Sequence, residues 1–330
     1  MSIMIKKNFL FIYFLSLALA GSAQLSATER KVLEKTQDSL QSLAFKILQG
    51  RTAEERFSAD SEFTRMFVRA LKVHNSFYFS FDSLITVSRL FPEDSSFKIF
   101  TWQMIVNDYV TRQHGAIQMR TADGSLKLFP LIDKSDVMQD EQDSIGNNFG
   151  WFGAVYYKVI ETQAFGKNFY TLLGYDENNI ASNKKIIEIL TFNNDQPVFG
   201  GGYFSIPDND LVKKYPARFI MEYKRYASPR LTYDTSLKMI IYEHLISETG
   251  EPQKKYTYIP DGDYEGLVWR DGKWVHINKV FTQTTPEGQE PVPQPVLDDK
   301  GNIDETKLSN RSPENVNDST RPVTPKDNKN

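Results

Sequence analysis

From Trp151 to Phe204 the chain reads WFGAVYYKVIETQAFGKNFYTLLGYDENNIASNKKIIEILTFNNDQPVFGGGYF, and this stretch limits the fold more than any other. Runs of β-branched and aromatic residues alternate with short polar or glycine turns, the pattern of consecutive antiparallel strands. Ala154 to Phe165 and Asn168 to Tyr175 flank Gly166-Lys167, which suits a type II′ turn with glycine first. That register pairs Ala164 with Phe169, Thr162 with Thr171 and Ile160 with Leu173. Asp176-Glu177-Asn178-Asn179 turns the chain into a strand from Lys185 to Phe192. Asn193 to Pro197 turns it again before Val198 to Ser205. The run Gly200-Gly201-Gly202 lies between aromatic residues and reads as a bulge or a close backbone approach.

The same signals extend to both sides. Phe97 to Ile105 is short, aromatic and β-branched. Ala116 to Ala122 and Ser125 to Ile132 flank Asp123-Gly124, a hairpin signal that opposes Arg120 to Lys127 and Met119 to Leu128. Further strands are expected over Ala217 to Tyr226, Leu237 to Leu245 and Lys255 to Ile259. A last hairpin, Leu267 to Arg270 and Lys273 to Ile277, closes around Asp271-Gly272 and sets Trp269 opposite Trp274 and Leu267 opposite His276.

Helical patterns precede the strands. Ser26-Ala27-Thr28-Glu29 has the spacing of a capping box. Leu33, Leu40, Leu43, Ala44, Ile47 and Leu48 then form one face, ending near Gly50. A second helical pattern after Asp60 aligns Phe63, Met66, Phe67, Ala70 and Leu71. Phe77 to Phe91 fits strand and helix equally.

The ends of the sequence differ from its body. Lys6 and Lys7 precede an apolar run from Phe9 to Ala20, followed by Gly21-Ser22-Ala23. This is the pattern of a signal peptide cleaved after Ala23, too short in its apolar core for a spanning helix. The mature protein is expected to be periplasmic or secreted and not membrane-spanning. With no cysteine, such a chain has to be stabilised by its core alone. Beyond Phe281 no aromatic residue occurs, and seven of the 15 prolines fall there. That composition cannot bury enough apolar surface to offset ordering entropy, so a disordered tail is expected.

Chemistry-bearing patterns are sparse. Loss of Lys6 and Lys7 would move the net charge from −3 to −5, which with no basic cluster argues against nucleic acid as a partner. His74, His114, His244 and His276 lack the spacing of a zinc helix, and the oxygen-rich turns at 176–179 and 261–263 do not continue as EF-hands. No metal or cofactor is expected. There is no G-x-S-x-G elbow and no phosphate-cradling glycine motif. The one grouping of interest is Asp261, Asp263, Glu265 and Asp271 around the hairpin that carries Trp269, Trp274 and His276. It could stack and hydrogen-bond a sugar, or form a core edge with acidic turns in water.

FKIFTW, YTLLGYDENN followed by NKKIIEIL, and IPDGDYEGLVWRDGKWV together resemble a group of exported bacterial proteins with no assigned activity. The likeness spans Ser80 to Phe281. It implies one continuous body and carries over no functional residue.

The expected fold class is α+β, a short N-terminal helical segment packed on a large, mainly antiparallel β body. That body reads as a meander, with barrel or propeller closure as alternatives. The expected organisation is a signal peptide at 1–23, a helical segment at 24–92, the β body at 93–281 and the tail at 282–330. The favoured function is non-catalytic binding of a glycan or an envelope protein. The alternative is a hydrolase of glycan or peptide that uses paired carboxylates.

Overall fold

The first helix begins where its capping box places it. In the computed structural model, which describes residues 25–107, 109–207 and 215–281, α1 spans Ala27–Gln49. The Ser26 hydroxyl accepts from the Glu29 N–H at 3.2 Å, and the Glu29 carboxylate accepts from the Ser26 N–H at 2.7 Å. Helix α2 spans Ala53–Leu71 behind a Thr52 cap, so it starts ahead of the Asp60 boundary expected from sequence. Its first two turns carry little apolar surface, which hid them from a periodicity reading. All described residues belong to one unit that ends at Phe281. The expected signal peptide and tail lie outside the described residues.

Three mainly antiparallel sheets follow the helices. The first runs β1 (Ser88–Leu90), β2 (Phe97–Asn107), β3 (Val110–Met119) and β4 (Lys127–Ile132) in that order. The central sheet has β5 (Gly146–Asn147), β6 (Val155–Ala164), β7 (Lys167–Asp176), β8 (Ser182–Asn193) and β9 (Gln196–Phe199) in the order β5-β9-β8-β7-β6; β11 (Arg218–Lys224) also pairs with β8. The third contains β10 (Phe204–Ser205), β12 (Leu231–Asp234), β13 (Met239–Ser247), β14 (Tyr258–Arg270) and β15 (Lys273–Ile277) in the order β10-β15-β14-β13-β12. The fold is α+β, as expected, and no barrel closes among the described residues.

Side-chain alternation stacks these elements as layers. Along β2, Phe100, Trp102 and Met104 face the helices, whereas Phe97 and Ile99 face the central sheet. Along β8, Ile186 and Leu190 face the first sheet, whereas Ile187 and Ile189 face the third. The central sheet is thus covered on both faces. A strand buried on both sides reads as a near-continuous apolar run, and this is why KKIIEILTF and NFYTLLGY dominate the sequence.

Two expected hairpin registers shift. In the central hairpin Phe165 and Gly166 form the turn, with φ of 51° and 71°, so Ala164 pairs with Lys167 and Thr162 with Phe169. Positive φ at both turn positions is the type I′ condition. The shift is two residues, so every side chain keeps its face. At 123–124 only Gly124 takes positive φ, and Met119 opposes Lys127 rather than Leu128. The loop is longer because its tip is tied elsewhere: Asn75 N–H donates to Gly124 O, and the His74 ring contacts Asp123 O. The strand expected from Lys255 begins as a 3₁₀ turn, Lys255–Thr257, and becomes the start of the long β14.

Polar groups are buried on the first-sheet side of the central sheet. Glu188 and Arg218 are cross-strand partners and both are fully buried. Arg218 Nε donates to Glu188 Oε1 at 2.8 Å; Nη2 stands 2.7 Å from the same oxygen, too oblique for a second hydrogen bond. Tyr156 donates to Glu188 Oε2 at 2.7 Å and accepts from Trp151 Nε1 at 2.7 Å. Arg218 also donates to Glu141 O, and Lys184 binds the Glu141 carboxylate at 2.8 Å.

Asp176 continues this polar seam, accepting from Gln113 Nε2 and Asn178 N–H. Burial pushes its carboxyl up to about 6 from an ordinary 3.8, against the pull of the Asn178 hydrogen bond and Lys184. The folded state therefore holds this proton more tightly than the unfolded chain. That contribution is fully present below the ordinary value and is lost as pH rises through about 6. Asp176→Asn retains the acceptor and is expected to be more stable than the parent by about 1–3 kcal/mol near neutral pH. The margin should shrink in acid. Urea melts on both sides of the transition check this; a margin that grows toward low pH would refute the assignment.

Candidate functional site

Between β11 and the β13–β14–β15 ladder lies a cleft of about 340 Å³. Its wall from the central sheet is apolar, with Phe219 and Met221 on the side of β11 that faces the third sheet. Its opposite wall carries Tyr242 and His244 from β13, Glu265 from β14 and His276 from β15.

A β-bulge sets up this wall. Glu243 pairs with Tyr264, and the next pair is Leu245 with Pro260, so His244 faces the three residues Asp261-Gly262-Asp263. Gly262 supplies positive φ there, at 94°. Bulges redirect side chains out of the regular pleat, and here the result is a carboxylate beside an imidazole. His244 Nδ1 lies 2.7 Å from Asp261 Oδ2, and Asp261 Oδ1 accepts the Asp263 N–H at 3.0 Å.

Glu265 is the hub of the cluster. Its Oε2 accepts from Tyr242, its cross-strand neighbour, at 2.8 Å and from His276 Nε2 at 2.9 Å. His244 Nε2 stands 4.0 Å from Oε1, outside hydrogen-bond range. Burial pushes the Glu265 carboxyl up, but hydrogen bonds from His276 and Tyr242 and the two nearby imidazoles leave it below its ordinary value. Asp261 is also held low: partial burial is the largest single effect and opposes this, but the His244 hydrogen bond, the Asp263 N–H and the nearby imidazole together outweigh it. Tyr242 is pushed well above its ordinary value by burial and then by the adjacent Glu265 charge. The cluster thus presents two carboxylates and a neutral phenol donor at neutral pH.

The structure brings together only part of the residue set expected from sequence. Asp261, Glu265 and His276 belong to the cluster. Asp263 is exposed and lies 3.4 Å from Lys279 Nζ. Asp271 sits in the turn at the far end of β14. Trp269 and Trp274 do oppose each other in the expected register. Trp274, however, is fully buried in the core and donates to Thr171 at 2.9 Å. Trp269 packs against Phe169 and Trp274 and donates to Gln163 O. The pair closes a core edge, with Trp274 unavailable for stacking and Trp269 partly covered.

No family model, curated protein or solved structure matches the chain.

His244 and Tyr242 join the cluster although neither belongs to the site set expected from sequence. Their spacing of two residues places both on one face of a strand, which is the signal a reader could have used. The oxygen-rich segment 261–263 proves to be the bulge inside β14 rather than a turn between elements. Among the described residues no group of three or more His, Asp or Glu side chains is arranged to hold a metal ion.

Proposed function

We propose that the protein is an exported, non-catalytic binding protein whose ligand site is the cleft between β11 and the third sheet. One observation carries this reading: an apolar wall of Phe219 and Met221 faces a converging set of Tyr242, His244, Glu265 and His276. A concave site with an apolar body and a few oriented polar groups is the usual form of a small-molecule site. Export rests on the basic start, short apolar run and small residues that end at Ala23. No described helix is long and apolar enough to cross a membrane.

The imidazole–carboxylate pairs give some support to the second reading, hydrolysis, because such pairs position a general base. Paired-carboxylate chemistry needs two carboxyl groups facing a substrate across open space. Here the His244 ring stands between Asp261, at 2.7 Å, and Glu265, at 4.0 Å, and binding is favoured. A saturation-transfer NMR screen of amphipathic small molecules against the full chain tests the site. Leu245→Trp, which fills the cleft, is expected to abolish the hits. Hits that persist unchanged in that variant would place binding elsewhere. Mass spectrometry of the exported protein is expected to place its first residue at Gln24.

A further inference from the structure

The hydrogen bonds around Glu265 and His276 leave acceptors open. Both donors that reach Glu265 converge on Oε2, while Oε1 accepts no hydrogen bond among the described residues. His276 has a side chain only 9% exposed, and its Nε2 is committed to the Glu265 carboxylate. That partner assigns the ring proton to Nε2, so in the neutral ring Nδ1 carries a lone pair. Nδ1 has no partner among the described residues, although His276 lines the cleft.

Charge at the cleft centres on Glu265. Glu222, Glu243 and Lys255 are also among the lining residues, but strand alternation turns the Glu222 and Glu243 side chains away from the faces that carry Phe219, Met221 and Tyr242. Glu243 already accepts from Tyr264 and from the Arg230 N–H. Glu222 accepts from Ser182. Lys185 lies near enough to Glu243 to offset part of its charge. The rings of Phe219, Tyr242 and Tyr258 also line the cleft, and aromatic faces attract cations.

We infer that the cleft recognises an organic cation, a primary amine or guanidinium on an apolar stem, with Glu265 Oε1 and His276 Nδ1 accepting its N–H groups. The inference rests on the binding reading above and specifies its ligand class. The stem lies against Phe219 and Met221, and the charged head reaches the open acceptors. An anion of the same size would meet the Glu265 carboxylate, and a neutral alcohol would satisfy only part of the set.

Calorimetric titration of the full chain with n-butylguanidinium, pentan-1-ol and pentanoate tests this directly. The cation is expected to bind at least about 10-fold more tightly than either other probe. Glu265→Gln is expected to weaken the cation by about 10- to 100-fold, the range for a lost hydrogen bond to a charged group, and to leave the alcohol unchanged. If that variant fails to fold, the ranking of the three probes on the parent protein decides alone. Pentanol or pentanoate binding as tightly as the cation would overturn the ligand class while leaving the cleft as the site. Failure of all three probes, or equal binding to Leu245→Trp, would overturn the binding reading itself.

Discussion

Arg218→Met is expected to lower the unfolding free energy by about 3–5 kcal/mol, the range observed when one partner of a buried ion pair is removed. Glu188 would be left fully buried with its charge supported only by the Tyr156 hydroxyl. Arg218 cannot be replaced by solvent, because its guanidinium is fully buried and lies 5.0 Å from the Phe152 ring centre. The destabilised carboxylate is expected to take up a proton in acid, so the deficit should narrow as pH falls. The double variant Arg218→Met, Glu188→Gln removes the orphaned charge and retains an acceptor for Tyr156. It is expected to recover at least half of the loss. Equilibrium urea denaturation of the three proteins measures both effects. A single-variant loss under about 1 kcal/mol would mean that the pair is not buried as described.

Trp274→Ala is expected to cost about 3–5 kcal/mol, the usual consequence of deleting a fully buried large aromatic side chain. Phe204, Leu267 and Ile240 share its cluster and would line the void, and Thr171 would lose its donor. Affinity at the cleft is expected to be unchanged in the molecules that remain folded, because Trp274 does not line it. This separates a core tryptophan from a sugar-stacking one. A variant that keeps its stability but loses a ligand would restore the stacking role suggested by the sequence.

Local signals made much of this fold legible. Ser26 and Glu29 marked a helix start, and Asp271-Gly272 set a hairpin register correctly, because each depends on residues only a few positions apart. The same locality explains what was missed. The Asp123-Gly124 turn is governed by contacts with His74 and Asn75, which no strand pattern reveals. The Phe165-Gly166 turn places a bulky residue at positive φ, which a glycine-first rule does not anticipate.

The candidate site was half legible for a similar reason. Glu265 and His276 drew notice through their proximity to the tryptophan hairpin. Their true partners depend on how β13 pairs with β14, and those strands are joined by a loop that carries no register signal. Only the bulge at His244 reveals that Asp261 reaches across to it. Glu188 and Arg218 were invisible as a pair because their contact joins strands about 30 residues apart.

A crystal structure of the full chain with n-butylguanidinium tests the central claim most directly. The account predicts a guanidinium between Glu265 Oε1 and His276 Nδ1, with the butyl chain against Phe219 and Met221. An empty cleft under saturating ligand, or density confined to another part of the surface, would contradict it.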